Sequence, residues 1–173
     1  MDAHLAREVR ANVVKMMGAR GLVCVESDVF ANEEQRVLVV YTEKLSVAQL
    51  REHVVAATGM RLSGLLFVTP VAPGAVMRQA IAECCGVVRV EMFAQLELAF
   101  NIMEHELVPK MRVITDVEKR DLLARYKMRI TQMPRLLAKD PCAKYLNLPR
   151  GAVVCITRQP TDADAYATYR VVV

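Results

Sequence analysis

Along residues 2–17, Leu5, Val9, Val13 and Met16 recur at helical spacing, which predicts an amphipathic helix with one apolar stripe. Gly18 and Gly21 supply its stop. Leu22 to Val25 and Val37 to Tyr41 are β-branched apolar runs on either side of the polar stretch Asn32 to Arg36, and both read as strands. Ser46-Val47-Ala48-Gln49 is a capping box, and Leu45 with Leu50 forms the staple expected beside it. The helix that starts there turns Val47, Leu50, Val54 and Ala57 to one side and stops at Gly59. Leu65-Leu66-Phe67-Val68 is apolar on both faces, as suits a parallel strand covered from both sides. A loop from Thr69 to Gly74 leads to a helix over about 75–85, ended by Gly86, and a strand over 87–93 alternates at Val88, Val90 and Met92. The order β, β, α, β, α, β describes a compact layered α/β domain.

Leu96, Leu98, Phe100 and Ile102 also alternate, which predicts a strand leading into a second domain. The boundary is expected near residue 100, giving domains 1–100 and 101–173. No Gly/Ser linker separates them, so the halves are expected to touch. Residues 105–109 read as a short extended stretch stopped by Pro109. Thr115-Asp116-Val117-Glu118 is a second capping box, opening a helix to about Lys127 with Leu122, Leu123 and Tyr126 facing inward. Asp140-Pro141 is an N-cap with proline at the first helical position, from which Tyr145 and Leu146 pack down. Gly151 releases a strand from Ala152 to Arg158. Residues 159–165 turn it back into Tyr166 to Val173, which predicts an antiparallel hairpin. The second domain is thus small and α+β.

Composition narrows the choice of function. The 173 residues are 54% hydrophobic and 24% charged, a globular balance, and the absence of Trp leaves Val, Leu, Ala and Met to build the core. Residues 1–100 hold 10 Lys and Arg against 11 Asp and Glu, whereas residues 101–173 hold 13 against 8. A small domain at net +5 suits an acidic protein face or nucleic acid, or is simply a solvated surface. The N-terminus has no signal-peptide pattern, and the longest apolar stretch, 64–77, is broken by Pro70 and Pro73 and falls short of the roughly 20 residues a bilayer needs. A soluble intracellular protein is expected, with no membrane partner.

Candidate chemistry is sparse. The five cysteines, Cys24, Cys84, Cys85, Cys142 and Cys155, form no Cys-x-x-Cys pair and read as reduced thiols. No phosphate-binding G-x-x-x-x-G-K-[ST] loop and no G-x-G-x-x-G fingerprint occurs. Pro73-Gly74-Ala75 at a helix start is either an anion-binding set of backbone N–H groups or a plain turn and cap. An enzyme would have to use Cys84 or Cys85 with His53 as base, but no motif joins them and helix packing explains both thiols. No catalytic residue, metal site, cofactor or small-molecule substrate is assigned. His105 is read as a packing or hydrogen-bonding residue. Arg158 and Arg170, on neighbouring strands of the hairpin, suit interface carboxylates or internal ordering equally.

The back half also carries an ordered series: His105-x-Leu107-Val108-Pro109, Leu122-Leu123-x-x-Tyr126, Gln132-Met133-Pro134-Arg135-Leu136, and Asp140-Pro141-x-x-x-Tyr145-Leu146. It continues with Gly151-x-Val153-Val154-x-Ile156-x-Arg158 and Tyr166-x-x-Tyr169-Arg170, and it is preceded by Val90-Glu91-Met92-Phe93 and Glu97-Leu98-x-x-Asn101-Ile102. The series resembles the assembly domain of the fifth subunit shared by eukaryotic RNA polymerases, whose archaeal counterpart is little more than this domain. The resemblance implies a nuclear, non-catalytic subunit whose assembly domain docks on the largest polymerase subunit, among other polymerase subunits. The interface residues it implies are His105, Pro109, Tyr126, Pro134, Asp140, Pro141, Tyr145, Arg158, Tyr166, Tyr169 and Arg170. It also implies a jaw domain in front, shorter here than usual, whose helix-start loop approaches downstream double-stranded DNA weakly and without sequence preference. Ala72-Pro73-Gly74-Ala75 stands where that family has Thr-Pro-Ser-Ala, so only Pro73, Gly74 and Ala75 remain as DNA-proximal candidates, through backbone. Met111, Pro160 and Asp164 stand where the family has histidine, serine and a turn glycine, which marks a divergent member. The alternative is a free-standing DNA-binding or transcription-regulating module that uses the basic back half.

Overall fold

A computed structural model describes residues 3–84, 86–159 and 164–173. The chain divides into two compact units, Met1–Asn101 and Ile102–Val173. Helices and mixed sheets occur in both, so the expected α/β and α+β classes hold.

The first unit opens with helix α1 (Ala3–Ala19), whose Val9, Val13, Met16 and Met17 are buried. It ends one residue beyond Gly18, and Gly21, not Gly18, takes the left-handed turn at φ 74°. The Gly21 N–H donates to the Gly18 carbonyl at 3.0 Å and the Leu22 N–H to the Met17 carbonyl at 2.9 Å, the paired bonds of a Schellman ending. Five strands follow: β1 (Val23–Glu26), β2 (Val29–Ala31), β3 (Arg36–Tyr41), β4 (Gly64–Thr69) and β5 (Arg89–Ala94), in that spatial order. The first three form an antiparallel meander, while β3, β4 and β5 run parallel. Strand β2 is an addition to the sequence reading. Three residues are too few to show a period, and the tight turn before it rests on Asp28 at φ 63°.

The parallel strands need crossovers. Helix α2 (Val47–Gly59) begins at the Ser46 capping box, with Ser46 Oγ accepting from Gln49 N at 3.2 Å and Gln49 Oε1 accepting from Ser46 N at 2.9 Å. Helix α3 (Ala75–Cys84) links β4 to β5. Leu50, Val54 and Ala57 of α2, Ala80 of α3, and Leu65, Phe67, Val90 and Met92 of the sheet form one buried cluster. Both helices therefore cover the same face. Glu91 lies between Val90 and Met92, so the pleat turns it to the other face, where Arg20 at the end of α1 bonds it. Every residue of β4 is buried, as its continuous apolar run required.

The strand expected from Leu96 to Ile102 does not form. Gln95–Leu98 and Ile102–Glu104 are 3-10 turns, and Leu96 and Phe100 are exposed. In a 3-10 turn the side chains three apart share a side, so Gln95 and Leu98 are buried together and Leu96 is left outside.

The second unit holds a four-stranded sheet in the order β6-β8-β9-β7, built from β6 (Lys110–Val113), β7 (Arg135–Leu136), β8 (Val153–Arg158) and β9 (Tyr166–Val172). The β8–β9 hairpin is antiparallel, with Arg158 opposite Tyr166 and Val154 opposite Arg170. Its connecting residues 160–163, including Pro160, lie outside the described residues, as does Cys85. Helix α4 (Asp116–Tyr126) starts at the Thr115 capping box, and α5 (Pro141–Tyr145) starts at Asp140, whose Oδ1 accepts from Cys142 N at 2.9 Å.

Successive residues of β8 and β9 serve two cores. Val153, Cys155 and Val171 pack with Leu122 of α4, Ile114 and Met133. Val154, Ile156 and Val172 pack with Ala143 of α5, Leu136 and Leu148. The sheet is thus covered by α4 on one face and α5 on the other. Residues 105–108 are a turn rather than an extended stretch, because the Val108 N–H donates to the His105 carbonyl at 2.9 Å.

Candidate partner interface

The covered part of the second sheet stops before the hairpin does. In β8, Val153 to Ile156 are buried while Thr157 and Arg158 are exposed; in β9, Tyr166 and Ala167 are exposed and Val171 and Val172 are buried. The pleat places Arg158, Tyr166 and Arg170 on the same face as Val154, Ile156 and Val172, the face that α5 covers further along. Arg158 and Tyr166 are cross-strand partners. Arg170 lies four residues beyond Tyr166, about 13 Å away at ~3.3 Å per residue. Arg170 is half-buried, and its Nη1 donates to the Arg135 carbonyl at 3.4 Å.

On the opposite face Tyr169 is half-buried beside Cys155, its cross-strand partner. Burial first, then the Cys155 thiol and the nearby Tyr126, raise its pKa above the ordinary phenol value. Tyr126 does not face inward as its spacing from Leu122 suggested; it is 59% exposed. It is the last residue of α4, and the chain turns away at Lys127 with φ 49°. Tyr169 thus faces away from the Arg158–Tyr166 face of the hairpin.

The remaining sequence-derived residues have distinct settings. His105 is exposed, and its Nδ1 accepts from the Leu107 N–H at 3.2 Å, which ties the turn before Pro109. Leu107 at that turn is strongly exposed. Pro134 offers its carbonyl to the Val171 N–H at 2.9 Å and so starts the β7–β9 pairing. Asp140 and Pro141 form the start of α5. Tyr145 is only 3% exposed and belongs to the interior of the unit. Its burial agrees with the expectation that Tyr145 packs down from α5.

Arg112 on β6 was not singled out by sequence. Its two guanidinium nitrogens donate to Glu118 at 3.0 and 2.9 Å. The Arg112 hydrogen bond, followed by the Thr115 backbone N–H, lowers the Glu118 pKa to about 2. Arg135, Lys139 and Leu137 were also passed over; with Leu136, Asp140 and Arg170 they line a groove of about 390 Å³. A signal existed in the basic spacing Arg135-x-x-x-Lys139, but the distant Arg170 completes the set only through the β7–β9 pairing.

In the first unit, Pro73, Gly74 and Ala75 lie at the start of α3, flanked by exposed Val71 and Val76. The thiol of Cys84 packs on the α2–α3 core, and His53 lies edge-on to Phe67 at 5.4 Å, with no hydrogen bond joining the two candidates. Among the described residues, no three of His, Cys, Asp and Glu gather as a metal cluster, and no helix is long and apolar enough to cross a membrane.

A small two-cored module with an exposed Arg–Tyr hairpin is the class of unit this geometry defines. Residues 100–172 match the family model described as RNA polymerase Rpb5, C-terminal domain. Over 134 residues, 76% of this chain and 68% of the relative, the chain is 37% identical to DNA-directed RNA polymerases I, II, and III subunit rpabc1 of Dictyostelium discoideum. It is 32% identical to DNA-directed RNA polymerase subunit 5-like protein 1 of Arabidopsis thaliana across 98% of this chain and 97% of the relative. That alignment has 206 positions, more than this chain's 173 residues, so the plant relative carries insertions that this chain lacks. The subunit RPABC1 of Caenorhabditis briggsae is 47% identical over 96 residues, and the match spans 46% of its length, about half. The chain belongs to the Rpb5 family of RNA polymerase subunits, as a divergent member.

Proposed function

We propose that this chain serves as a non-catalytic subunit of a multisubunit DNA-directed RNA polymerase in the nucleus. Residues 101–173 act as an assembly domain docking on the largest subunit, and residues 1–100 act as a jaw-like domain near downstream DNA. The observation that carries the docking reading is the uncovered end of the β8–β9 hairpin, where Arg158 and Tyr166 stand exposed beyond a core filled on both faces. Tyrosine and arginine are the residue types that anchor protein interfaces. A unit of this size buries only about 60% of its unfolded surface, so a partner that covers the hairpin adds to its stability. Pro73, Gly74 and Ala75 have no hydroxyl or cationic side chain, so only backbone N–H groups at the start of α3 are left to meet phosphates. Such contacts are salt-sensitive and independent of sequence.

The test is affinity capture with tagged wild-type and Arg158→Glu/Tyr166→Ala chains, probed for the two large polymerase subunits. Capture by the wild type and its loss in the variant support the reading. Equal capture by both chains removes the hairpin from the interface. Absence of capture by the wild type removes the docking role, and tight DNA binding by the uncaptured chain would favour a free-standing DNA-binding module.

A further inference from the structure

Strand β6 ends the sheet order β6-β8-β9-β7, so one of its edges is open. The Ile114 N–H donates to the Val153 carbonyl at 3.0 Å, and Val113 stands opposite Val154. Main-chain groups alternate in direction along an antiparallel pair. Arg112 and Lys110 therefore also bond β8, while Met111 and Val113 aim their N–H and C=O groups outward. Among the described residues, nothing bonds those outward groups. Bulges and short length are common protections of a free edge. The edge strand β1 has a bulge between Cys24 and Glu26, and β7 is only two residues long. Strand β6 is regular along its four residues and is guarded by charge instead, at Lys110 and Arg112.

Those charges select the occupant. A second copy of β6 has to match outward residue with outward residue. Pairing Met111 with Met111 sets Lys110 opposite Arg112 of the second copy, and pairing Met111 with Val113 sets Arg112 opposite Arg112. Like charges directly opposite destabilise a strand pair. Arg112 already holds Glu118, whereas Lys110 is in no ion pair among the described residues, so it is free to meet a carboxylate. On the other face Met111 packs on the α5 core and Val113 is 43% exposed, so apolar side chains suit the places opposite them. Arg158 lies two residues beyond Ile156, the cross-strand partner of Met111, so the open edge adjoins the uncovered hairpin end. We infer that β6 takes an extended segment of a partner protein, alternating apolar and acidic residues, as an antiparallel fifth strand of this sheet. This inference rests on the docking reading and supplies that docking with main-chain hydrogen bonds.

The test titrates the full chain, at low ionic strength, into a short fluorescein-labelled peptide of alternating Val and Glu, and into versions N-methylated on every Val or on every Glu. In the inferred register the Val N–H groups face β6 and the Glu N–H groups face solvent. The expected result is binding of the plain and Glu-methylated peptides, weakened about tenfold or more by Val methylation, which removes main-chain hydrogen bonds. Lys110→Glu is expected to weaken the plain peptide. No binding of the plain peptide, equal binding of all versions, loss on Glu methylation alone, or unchanged binding by Lys110→Glu would overturn the inference. Val113→Pro removes one outward N–H and leaves the β6–β8 bonds, and an unchanged thermal midpoint verifies its fold. Self-association of the wild-type chain that Val113→Pro abolishes would make a second copy the occupant and overturn the inference as well. Capture of the large polymerase subunits is measured in parallel. Wild-type capture that Val113→Pro retains overturns the edge alone. Peptide binding with the expected methylation pattern but no wild-type capture overturns the docking reading and leaves the edge standing.

Discussion

Arg20 at the end of α1 holds both carboxylate oxygens of Glu91 on β5, at 3.1 and 2.9 Å, with the side chains only 5% and 17% exposed. This pair fastens α1 to the sheet face opposite α2 and α3. A buried pair is costly to break on one side and cheaper to replace on both. Arg20→Ala is expected to destabilise the first unit by about 3–5 kcal/mol, while Arg20→Met/Glu91→Leu costs clearly less. Urea denaturation read by circular dichroism checks the order of the two variants; equal losses would show that the pair is not the fastening.

Glu118 completes the Thr115 capping box and also meets Arg112, so its carboxylate couples α4 to β6. Its pKa in the folded chain is about 2, against an ordinary value of 4.5. A depressed carboxylate contributes in full above its unfolded value, and that contribution fades as pH falls from about 4.5 through about 2. The stability gap between wild type and Glu118→Gln is therefore expected to narrow across that window. Thermal midpoints measured at stepped pH check this, and a gap that stays constant down to pH ~2 contradicts it.

Of the three helices that end on a left-handed residue with a side chain, α5 uses Asn147, a type that tolerates this conformation, while α2 uses Arg61 at φ 54° and α4 uses Lys127 at φ 49°. Both make the paired bonds of a Schellman ending, Leu62 N to the Ala57 carbonyl at 2.9 Å and Met128 N to the Leu123 carbonyl at 3.1 Å. The left-handed region costs an L-residue about 1–2 kcal/mol, part of which glycine forfeits through unfolded-state entropy. Arg61→Gly and Lys127→Gly should each raise stability by about 0.5–1 kcal/mol. A shifted denaturation midpoint at unchanged slope is the expected readout; a lower midpoint contradicts it.

The tyrosines of the second unit separate by burial. Tyr145→Ala opens a cavity under α5 and should cost about 3–5 kcal/mol. Tyr166→Ala, at an exposed hairpin position, should stay within about 0.5 kcal/mol while weakening polymerase capture. Paired stability and capture measurements distinguish the two, and an unstable Tyr166→Ala chain would mean that its ring is structural.

Much of this arrangement was legible in the sequence because the signals were local. The Ser46 and Thr115 capping boxes, the Asp140-Pro141 start and the continuous apolar run of β4 each place a helix start or a buried strand with no knowledge of the rest. The failures had the opposite character. Strand β2 has local partners but is too short to show a period, and the short strands β6 and β7 owe their existence to neighbours distant in sequence, such as Val171 and Val172 for β7. The site followed the same division. The Arg158–Tyr166 pairing follows from a hairpin and the burial of Tyr145 from the start of α5, whereas the exposure of Tyr126 and the bond from Arg170 to the Arg135 carbonyl depend on how elements far apart in the chain meet.

Purification of the native polymerase from cells that carry this chain, followed by size-exclusion chromatography and mass spectrometry, tests the central claim most directly. The account predicts that the untagged chain co-elutes with the two large polymerase subunits through salt washes that strip free DNA-binding proteins. Elution of the chain apart from both large subunits would contradict it.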